Sequence, residues 1–200
     1  MKILVKENQY NLLMEQVGLD DFMSKVSEVY PDSVYAMEKI SDFIKKSNCQ
    51  RIEFRDFNYP AAGVSLHDRV LINNNVLRSD FSFFLFVLFH EIAHQYQFKK
   101  YGIDVMYKIY TGEISLDKAA KFVKDVEDVA DEFGIRKVRQ IQSLYGDKIK
   151  LNSSSLVKPY KNMPLSTLKN MISHIINLLK QNNYKDITDI SEIMYNHIKK

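Results

Sequence analysis

Apolar residues at helical spacing dominate the first quarter of the chain. From Tyr10 to about Tyr30 they recur at the intervals of one helix face, and Pro31 interrupts the pattern. A second pattern of the same kind continues to about Lys46. The sequence therefore predicts two N-terminal helices within residues 1–48.

Three short runs that suit β-strands follow. Arg51–Arg55 alternates polar with apolar side chains, and a turn-forming stretch from Asn58 to Gly63 separates it from Val64–Leu66. The third run is Arg69–Asn73. Short runs joined by tight turns predict a small antiparallel meander, in which each strand pairs with the next.

Helical patterns then return for the rest of the chain. Ser79 or Asp80 is a suitable N-cap for a helix that runs to about Lys100, before Gly102, and another helix spans roughly Ser115–Leu144. The remaining segments are a loop at 152–164, a helix from 165 to about 180 and a last helix that begins near 186. Helices packed around one small sheet define an α+β fold.

The bulk composition favours one compact unit. A chain of 200 residues with 46% hydrophobic content can bury a sizeable core. We expect a single domain over 1–200, with N-terminal helices at 1–48, a core at 49–144 and C-terminal helices at 145–200. The net charge is +3 and the lysines are scattered, so no clear nucleic-acid-binding signal stands out. Nothing in the pattern indicates an oligomeric state.

The expected location is intracellular. Cys49 is the only cysteine, so no internal disulfide can form and a reducing compartment is the simpler expectation. The start, MKILVKENQY, holds too short an apolar stretch for a secretory signal. The most apolar run, Phe81–Phe89, is well below the roughly 20 residues that a bilayer-spanning helix needs. We therefore expect a cytoplasmic protein without a membrane anchor.

The phenylalanine-rich helix carries the pattern H-E-x-x-H at His90, Glu91 and His94. Residues four apart lie on the same helix face, so the two histidines can direct their rings at one point. Neutral imidazole suits zinc, and a catalytic zinc takes three protein ligands and leaves a fourth position to water. Glu91 lies beside the first histidine, where it can reach that water and act as a general base.

The alternative is a pair of structural histidines with ordinary hydrogen-bond partners. An unpaired polar group on a buried helix costs about 1 to 3 kcal/mol, so two histidines and a glutamate there need something to satisfy them. Zinc would satisfy all of them together, and this favours the metal hypothesis.

Acidic residues on the following helix are candidates for the third ligand. Glu127 and Asp131 are four apart and share a helix face, and the small Ala130 would permit close helix packing. Either carboxylate could bind the metal while the other accepts the free ring N–H of a histidine. A solvated acidic helix face is the alternative, and it weakens because the histidines call for a partner.

The two motifs together resemble a known class of enzymes. H-E-I-A-H followed by E-D-V-A-D-E-F resembles the gluzincin zinc metallopeptidases, and the I-N-N-N stretch and E-x-x-A-D-x-F signature most resemble compact ImmA/IrrE-type peptidases. The resemblance covers about Arg69 to Arg136. The metzincin pattern does not fit, because it needs glycine and histidine where this chain has Gln97 and Lys100. Resemblance to SprT-like proteins stops at the first motif.

This resemblance implies a zincin-like fold and a ligand set. One zinc ion would be held by His90, His94 and Glu127, Asp131 would orient a ligand, and Glu91 would be the general base. The implied reaction is hydrolysis of peptide bonds in an intracellular protein or peptide substrate, with the region 49–144 as the catalytic core.

The resemblance also implies that an extended substrate lies along an edge strand near the active-site helix. Our candidates for that strand are Arg69, Val70, Leu71, Ile72 and Asn73. The oxyanion donor stays open among Tyr96, Tyr101, Tyr107, Tyr110, Tyr160 and His174.

The competing hypothesis is a zincin-like binding or regulatory protein whose zinc site is not proteolytic. Glu91 separates the two in part, because a purely structural zinc site has no need of a carboxylate beside its ligand.

Overall fold

An α+β architecture is seen in the computed structural model, which describes residues 7–47, 49–57, 61–66, 69–102, 105, 108–109 and 111–181. Within these ranges six α-helices pack with one three-stranded sheet. The α+β prediction is confirmed at this level.

The N-terminal region contains the two predicted helices. Helix α1 is Glu7–Val29 and helix α2 is Met37–Lys45, and a 3-10 helix, Pro31–Ala36, joins them. Proline suits the first turn of such a helix because the missing N–H would have no partner there. Both helices bury apolar side chains in the main core, among them Phe22 and Ile40, each 1% exposed.

The sheet is mixed, so the predicted antiparallel meander is wrong. Its strands are β1 (Arg51–Arg55), β2 (Gly63–Ser65) and β3 (Arg69–Asn73), in the order β1-β3-β2. β3 pairs parallel with β1 and antiparallel with β2. β3 takes the centre because it can be buried on both faces: Val70 and Ile72 enter the main core, and Leu71 packs on the other side with Leu66.

This topology also corrects the proposed substrate strand. Arg69, Val70, Leu71, Ile72 and Asn73 do form a strand, but it is paired on both sides and is not an edge. A strand with neighbours on both sides has no main-chain groups left for a peptide. Among the described strands, the short β2 is the edge that borders the helix carrying His90 and His94.

Two helices follow β3 directly. Helix α3 is Asn74–Leu77, which the hydrophobic pattern did not predict, and helix α4 is Phe81–Tyr101. The Asp80 side chain accepts hydrogen bonds from the N–H groups of Ser82 and Phe83, so Asp80 is the N-cap. Helix α4 is buried for most of its length because it runs through the main core. None of the described helices is both long and apolar enough to cross a membrane.

The remaining elements follow α4 in the chain. Helix α5 is Leu116–Tyr145, a 3-10 helix spans Ser153–Ser155, and helix α6 is Leu165–Gln181. The helix predicted near 186 lies outside the described residues, and the division into one domain with three regions stays a prediction.

Close packing of α5 on α4 rests on small side chains. Ala130 is fully buried, and a Cβ at Gly134 would lie 2.9 Å from the Phe86 carbonyl oxygen. A larger residue at position 134 would push the helices apart. The short separation brings the acidic face of α5 against the two histidines of α4.

Candidate metal centre and active site

Three potential ligand atoms converge between α4 and α5. The Nε2 atoms of His90 and His94 are 3.2 Å apart, and Glu127 Oε2 lies 3.1 Å from the first and 3.5 Å from the second. His90 and His94 share one face of α4, and Glu127 reaches them from α5. These three residues are the group that could hold a metal ion in the described part of the chain.

Asp131 holds the ring of His90 from behind. Its Oδ1 lies 2.9 Å from His90 Nδ1, and Asp131 is fully buried. Its Oδ2 accepts the backbone N–H of Tyr160 at 3.4 Å, which ties the same carboxylate to the segment before α6. A carboxylate on Nδ1 fixes the tautomer in which Nε2 offers its lone pair to a metal.

Gln97 plays the equivalent part for His94, and the sequence reasoning missed it. Gln97 Oε1 lies 2.7 Å from His94 Nδ1, and Gln97 Nε2 donates to the Val126 carbonyl oxygen at 2.8 Å. One amide thus links the second histidine to the residue before Glu127. The three-residue spacing from His94 could have identified Gln97, because side chains at that spacing are neighbours on a helix.

The donor set fits a divalent cation such as zinc. With Asp131 and Gln97 accepting the Nδ1 protons, the Nε2 atoms of both rings in their neutral form would face each other and Glu127 as acceptors. Three lone-pair donors at these distances repel unless a cation or a proton lies among them. Two imidazole nitrogens and one carboxylate oxygen are also a ligand set found in catalytic zinc sites with one open position.

The charges of the cluster are strongly coupled. Burial would lower the pKa of His90, but hydrogen bonds to Asp131 and Glu127 outweigh it and raise that pKa to about 10. Burial opposes ionisation of Glu127, yet the two histidines hold the pKa of Glu127 down at about 2. The buried carboxylate is therefore ionised and positive charge is favoured beside it, which is what a cation site requires.

Glu91 enters the same cavity beside the ligand cluster and is only 6% exposed. Burial raises its pKa, although His90 and His94 oppose the shift. A carboxylate with a raised pKa holds an accepted proton more strongly than an ordinary glutamate does.

Gly63 of β2 makes the room for Glu91. A Cβ at position 63 would lie 2.7 Å from Glu91 Cγ and 2.8 Å from Oε1, closer than real Cβ contacts come. The sequence reasoning assigned Gly63 only to a turn, and nothing local in the sequence connects it with a residue 28 positions later.

Tyr160 lies beside the cluster. Its ring stacks on His90 with 6.1 Å between centroids and 20° between planes. Burial raises the pKa of its hydroxyl, helped by Glu127, Glu91 and Asp131, so the group keeps its proton. Of the other donor candidates, Tyr101 and His174 line the cavity, Tyr96 packs against Phe133, and Tyr107 and Tyr110 lie outside the described residues.

The neighbouring acids on α5 point elsewhere. Lys158 lies 3.7 Å from Asp128 Oδ1 and forms an ion pair with Glu132 at 2.5 Å. The helical phase therefore separates Glu127 and Asp131, which address the histidines, from Asp128 and Glu132, which address Lys158.

A cavity of about 460 Å³ opens over the cluster. Gly63, Val64 and Ser65 of β2 form one wall, and α4, α5 and α6 form the others. Its volume is in the range of small-molecule and peptide side-chain sites.

No protein family, curated protein or solved structure matches this chain. The class of site therefore rests on the geometry: an α+β protein with a group of two histidines and one glutamate, one histidine buried and the other two residues partly buried, that could hold a metal ion.

Proposed function

We propose that this chain is a zinc-dependent peptidase of the gluzincin type, most like the compact ImmA/IrrE-type peptidases. The observation that carries the proposal is the convergence of His90, His94 and Glu127, with Glu91 buried in the same cavity. A site for zinc alone would need only the three ligands. The additional buried carboxylate, and the glycine that makes room for it, support a hydrolytic site.

The residues of the cavity divide the chemistry of peptide hydrolysis among them. Zinc, when bound, lowers the pKa of a coordinated water to about 7 and polarises the substrate carbonyl. Glu91 accepts the proton of the attacking water and passes it to the leaving amine, because the same carboxylate can take a proton and then release it. Asp131 and Gln97 keep both histidine rings in the orientation that presents Nε2.

Tyr160 is our choice among the oxyanion donors. Its phenol stays protonated and it lines the cavity next to His90. An O–H donor held there would stabilise the negative charge that develops on the substrate oxygen.

The edge strand β2 is our revised site for the substrate main chain. In its antiparallel ladder, Leu66 N–H donates to Arg69 O and Asn73 N–H donates to Ala62 O. Since bonded pairs alternate, the backbone groups of Gly63 and Ser65 point away from β3. Both residues line the cavity, so an extended peptide could pair with them beside Glu91.

The substrate is proposed to be an intracellular protein or peptide, because the chain has one cysteine and thus no internal disulfide.

Metal analysis combined with cleavage profiling of a peptide library tests the function. Wild type should contain about one zinc and cleave, and Glu91→Gln should keep the zinc and lose cleavage, because the amide cannot accept the proton. Glu38→Gln, an exposed change on α2, is the matched control and should behave as wild type.

The two hypotheses give different results in this experiment. A chain that takes up no zinc contradicts the metal site itself. A chain that binds zinc but cleaves no peptide would favour the binding or regulatory protein, and an active Glu91→Gln variant would remove Glu91 from the role of base.

A further inference from the structure

The cavity over the cluster has two chemically different ends. His90, Glu91, His94 and Glu127 occupy one end. The other end extends between α4, α5 and α6, where the lining side chains are mostly apolar. Representative ones are Phe98, Phe122, Val123, Leu168, Met171 and Ile172.

The apolar end is deep enough for a large side chain. Along α4 the lining runs from His94 to Tyr101, which at 1.5 Å per residue is about 10 Å. On α5 it runs from Glu127 back to Phe122, so both helices extend the cavity in the direction away from Glu91. The whole cavity, of which this apolar part is one end, measures about 460 Å³, far more than the water-sized voids that protein interiors rarely exceed.

The same end offers few partners to a charged side chain, and Tyr101 and His174 are its polar lining residues. Among the described lining residues, the carboxylates are Glu91 and Glu127 at the zinc end, and no lysine, arginine or aspartate lines the cavity. A charged side chain carried into the apolar end would lose its hydration without gaining an ion-pair partner from a lysine, an arginine or an aspartate.

We infer that this apolar end is the specificity pocket, and that it selects peptides with a large apolar side chain, such as leucine, phenylalanine or methionine, next to the bond that is cut. The inference rests on the proposed peptidase function. The occupant is a substrate side chain because the pocket is continuous with Glu91 and with the β2 edge, where the peptide main chain is proposed to lie.

Met171 is the position at which the pocket can be changed with least risk to the fold. It lines the cavity from α6 and is 43% exposed, so a charged replacement does not have to be buried in the core. Leu144 on α5 is 52% exposed and does not line the cavity, and Leu144→Glu is therefore the matched control.

The experiment compares short fluorescein-labelled peptides that differ only in the residue next to the bond that is cut. That residue is leucine, phenylalanine, aspartate or lysine. The zinc-loaded full chain should cleave the apolar peptides at least about 10-fold better than the charged ones, the range that apolar pockets achieve. Met171→Glu should reduce the preference for apolar peptides over the lysine peptide about 10-fold, because the new carboxylate attracts lysine. Met171→Lys should likewise reduce the preference for apolar peptides over the aspartate peptide. Leu144→Glu should change neither preference.

Fluorescence anisotropy measures binding of the same peptides to the zinc-loaded Glu91→Gln variant. This measurement tests the specificity pocket separately from the peptidase function. If the variant binds apolar peptides preferentially but wild type cleaves none of them, the result supports the pocket and contradicts the peptidase function. Cleavage without a preference for apolar peptides, or with a preference that both Met171 variants leave unchanged, would contradict the specificity pocket and still support the peptidase function. No binding and no cleavage of any peptide, or a fatty acid found in the cavity by native mass spectrometry, would also overturn the inference.

Discussion

Gln97 illustrates how a single amide can set the direction of a candidate metal ligand, His94. It accepts from His94 and donates to the backbone of α5, so one side chain fixes both a ring and the distance between two helices. Such outer partners matter because a ligand that is free to rotate loses part of its affinity to orientational entropy.

Replacing Gln97 should therefore weaken the metal site without removing a ligand. We expect Gln97→Ala to lower zinc affinity by about 10- to 100-fold, the range typical of lost outer-shell hydrogen bonds. Gln140→Ala, an exposed change on α5, should leave the affinity unchanged. Competition titration with a chelator measures both, and an unaltered affinity in Gln97→Ala would mean that His94 is held by other contacts.

Gly63 should be required for catalysis and not for metal binding. In Gly63→Ala the new Cβ would displace the Glu91 carboxylate, and a shift of about 1 Å at a catalytic group costs roughly 100-fold in rate. Zinc content should stay near one ion per chain. Gly18→Ala is the control, because no heavy atom lies within 4 Å of the added Cβ. Full activity in Gly63→Ala would show that Glu91 acts from another position.

Three of the acidic residues of α5 should differ in their effects on zinc affinity. Glu127→Ala removes a ligand and should nearly abolish binding, whereas Asp131→Ala should weaken it by about 10- to 100-fold because it removes the partner of His90. Asp128→Ala should have little effect, since Asp128 faces Lys158. Zinc titration of the three variants measures these affinities. A larger loss of zinc affinity in Asp131→Ala than in Glu127→Ala would mean that Asp131 is the ligand and Glu127 the orienting acid.

At the scale of elements, helices α4 and α5 carry the ligands and β2 borders the cavity. The two helices are positioned by the burial of their side chains and by their close approach at Gly134. β2 is a three-residue edge strand that pairs with β3 on one side, and its outward backbone N–H and C=O groups pair with no other described strand. The long helices thus set the geometry of the candidate metal site, and the short strand is the element proposed to pair with a substrate.

Proline in β2 should harm substrate binding selectively. Ser65→Pro removes an outward N–H and leaves the bonds to β3 in place, which an edge strand tolerates. We expect KM for a cleaved peptide to rise by about 3- to 10-fold, the worth of one hydrogen bond, with zinc retained. Ser65→Ala keeps the N–H but loses the contact of the hydroxyl with Gln95, so it is the control. Equal KM values in the two variants would argue against main-chain pairing at β2.

For the molecule as a whole, a metal held between α4 and α5 should stabilise the fold. A ligand at 100 times its Kd stabilises the native state by about 2.7 kcal/mol. For a chain of 200 residues this corresponds to a rise in Tm of about 5 to 10 °C. His94→Ala should lose the zinc-dependent rise, and His174→Ala, which is outside the ligand cluster, should keep it.

Thermal denaturation with zinc and with a chelator measures this difference for each protein. A rise that persists in His94→Ala would place the stabilising zinc at a different site.

The local features of this protein could be predicted from its sequence because they depend on near neighbours. Helical spacing located α1, α2, α4, α5 and α6 to within a few residues of their observed ends. The four-residue spacing put His90 beside His94, and Glu127 on the same face as Asp131, by helix geometry alone. The short α3 was missed because one turn of helix is too short to show a period.

Only the tertiary structure decided the features that join distant residues. Strand order depended on which strand can be buried on both faces, and that is a property of the packed core rather than of Arg69–Asn73 itself. The room that Gly63 makes for Glu91, the bond from Gln97 to Val126 and the apolar end of the cavity arise where separate elements meet. Hydrophobic and helical periods are written into each segment, whereas contacts between segments exist only after the segments have packed together.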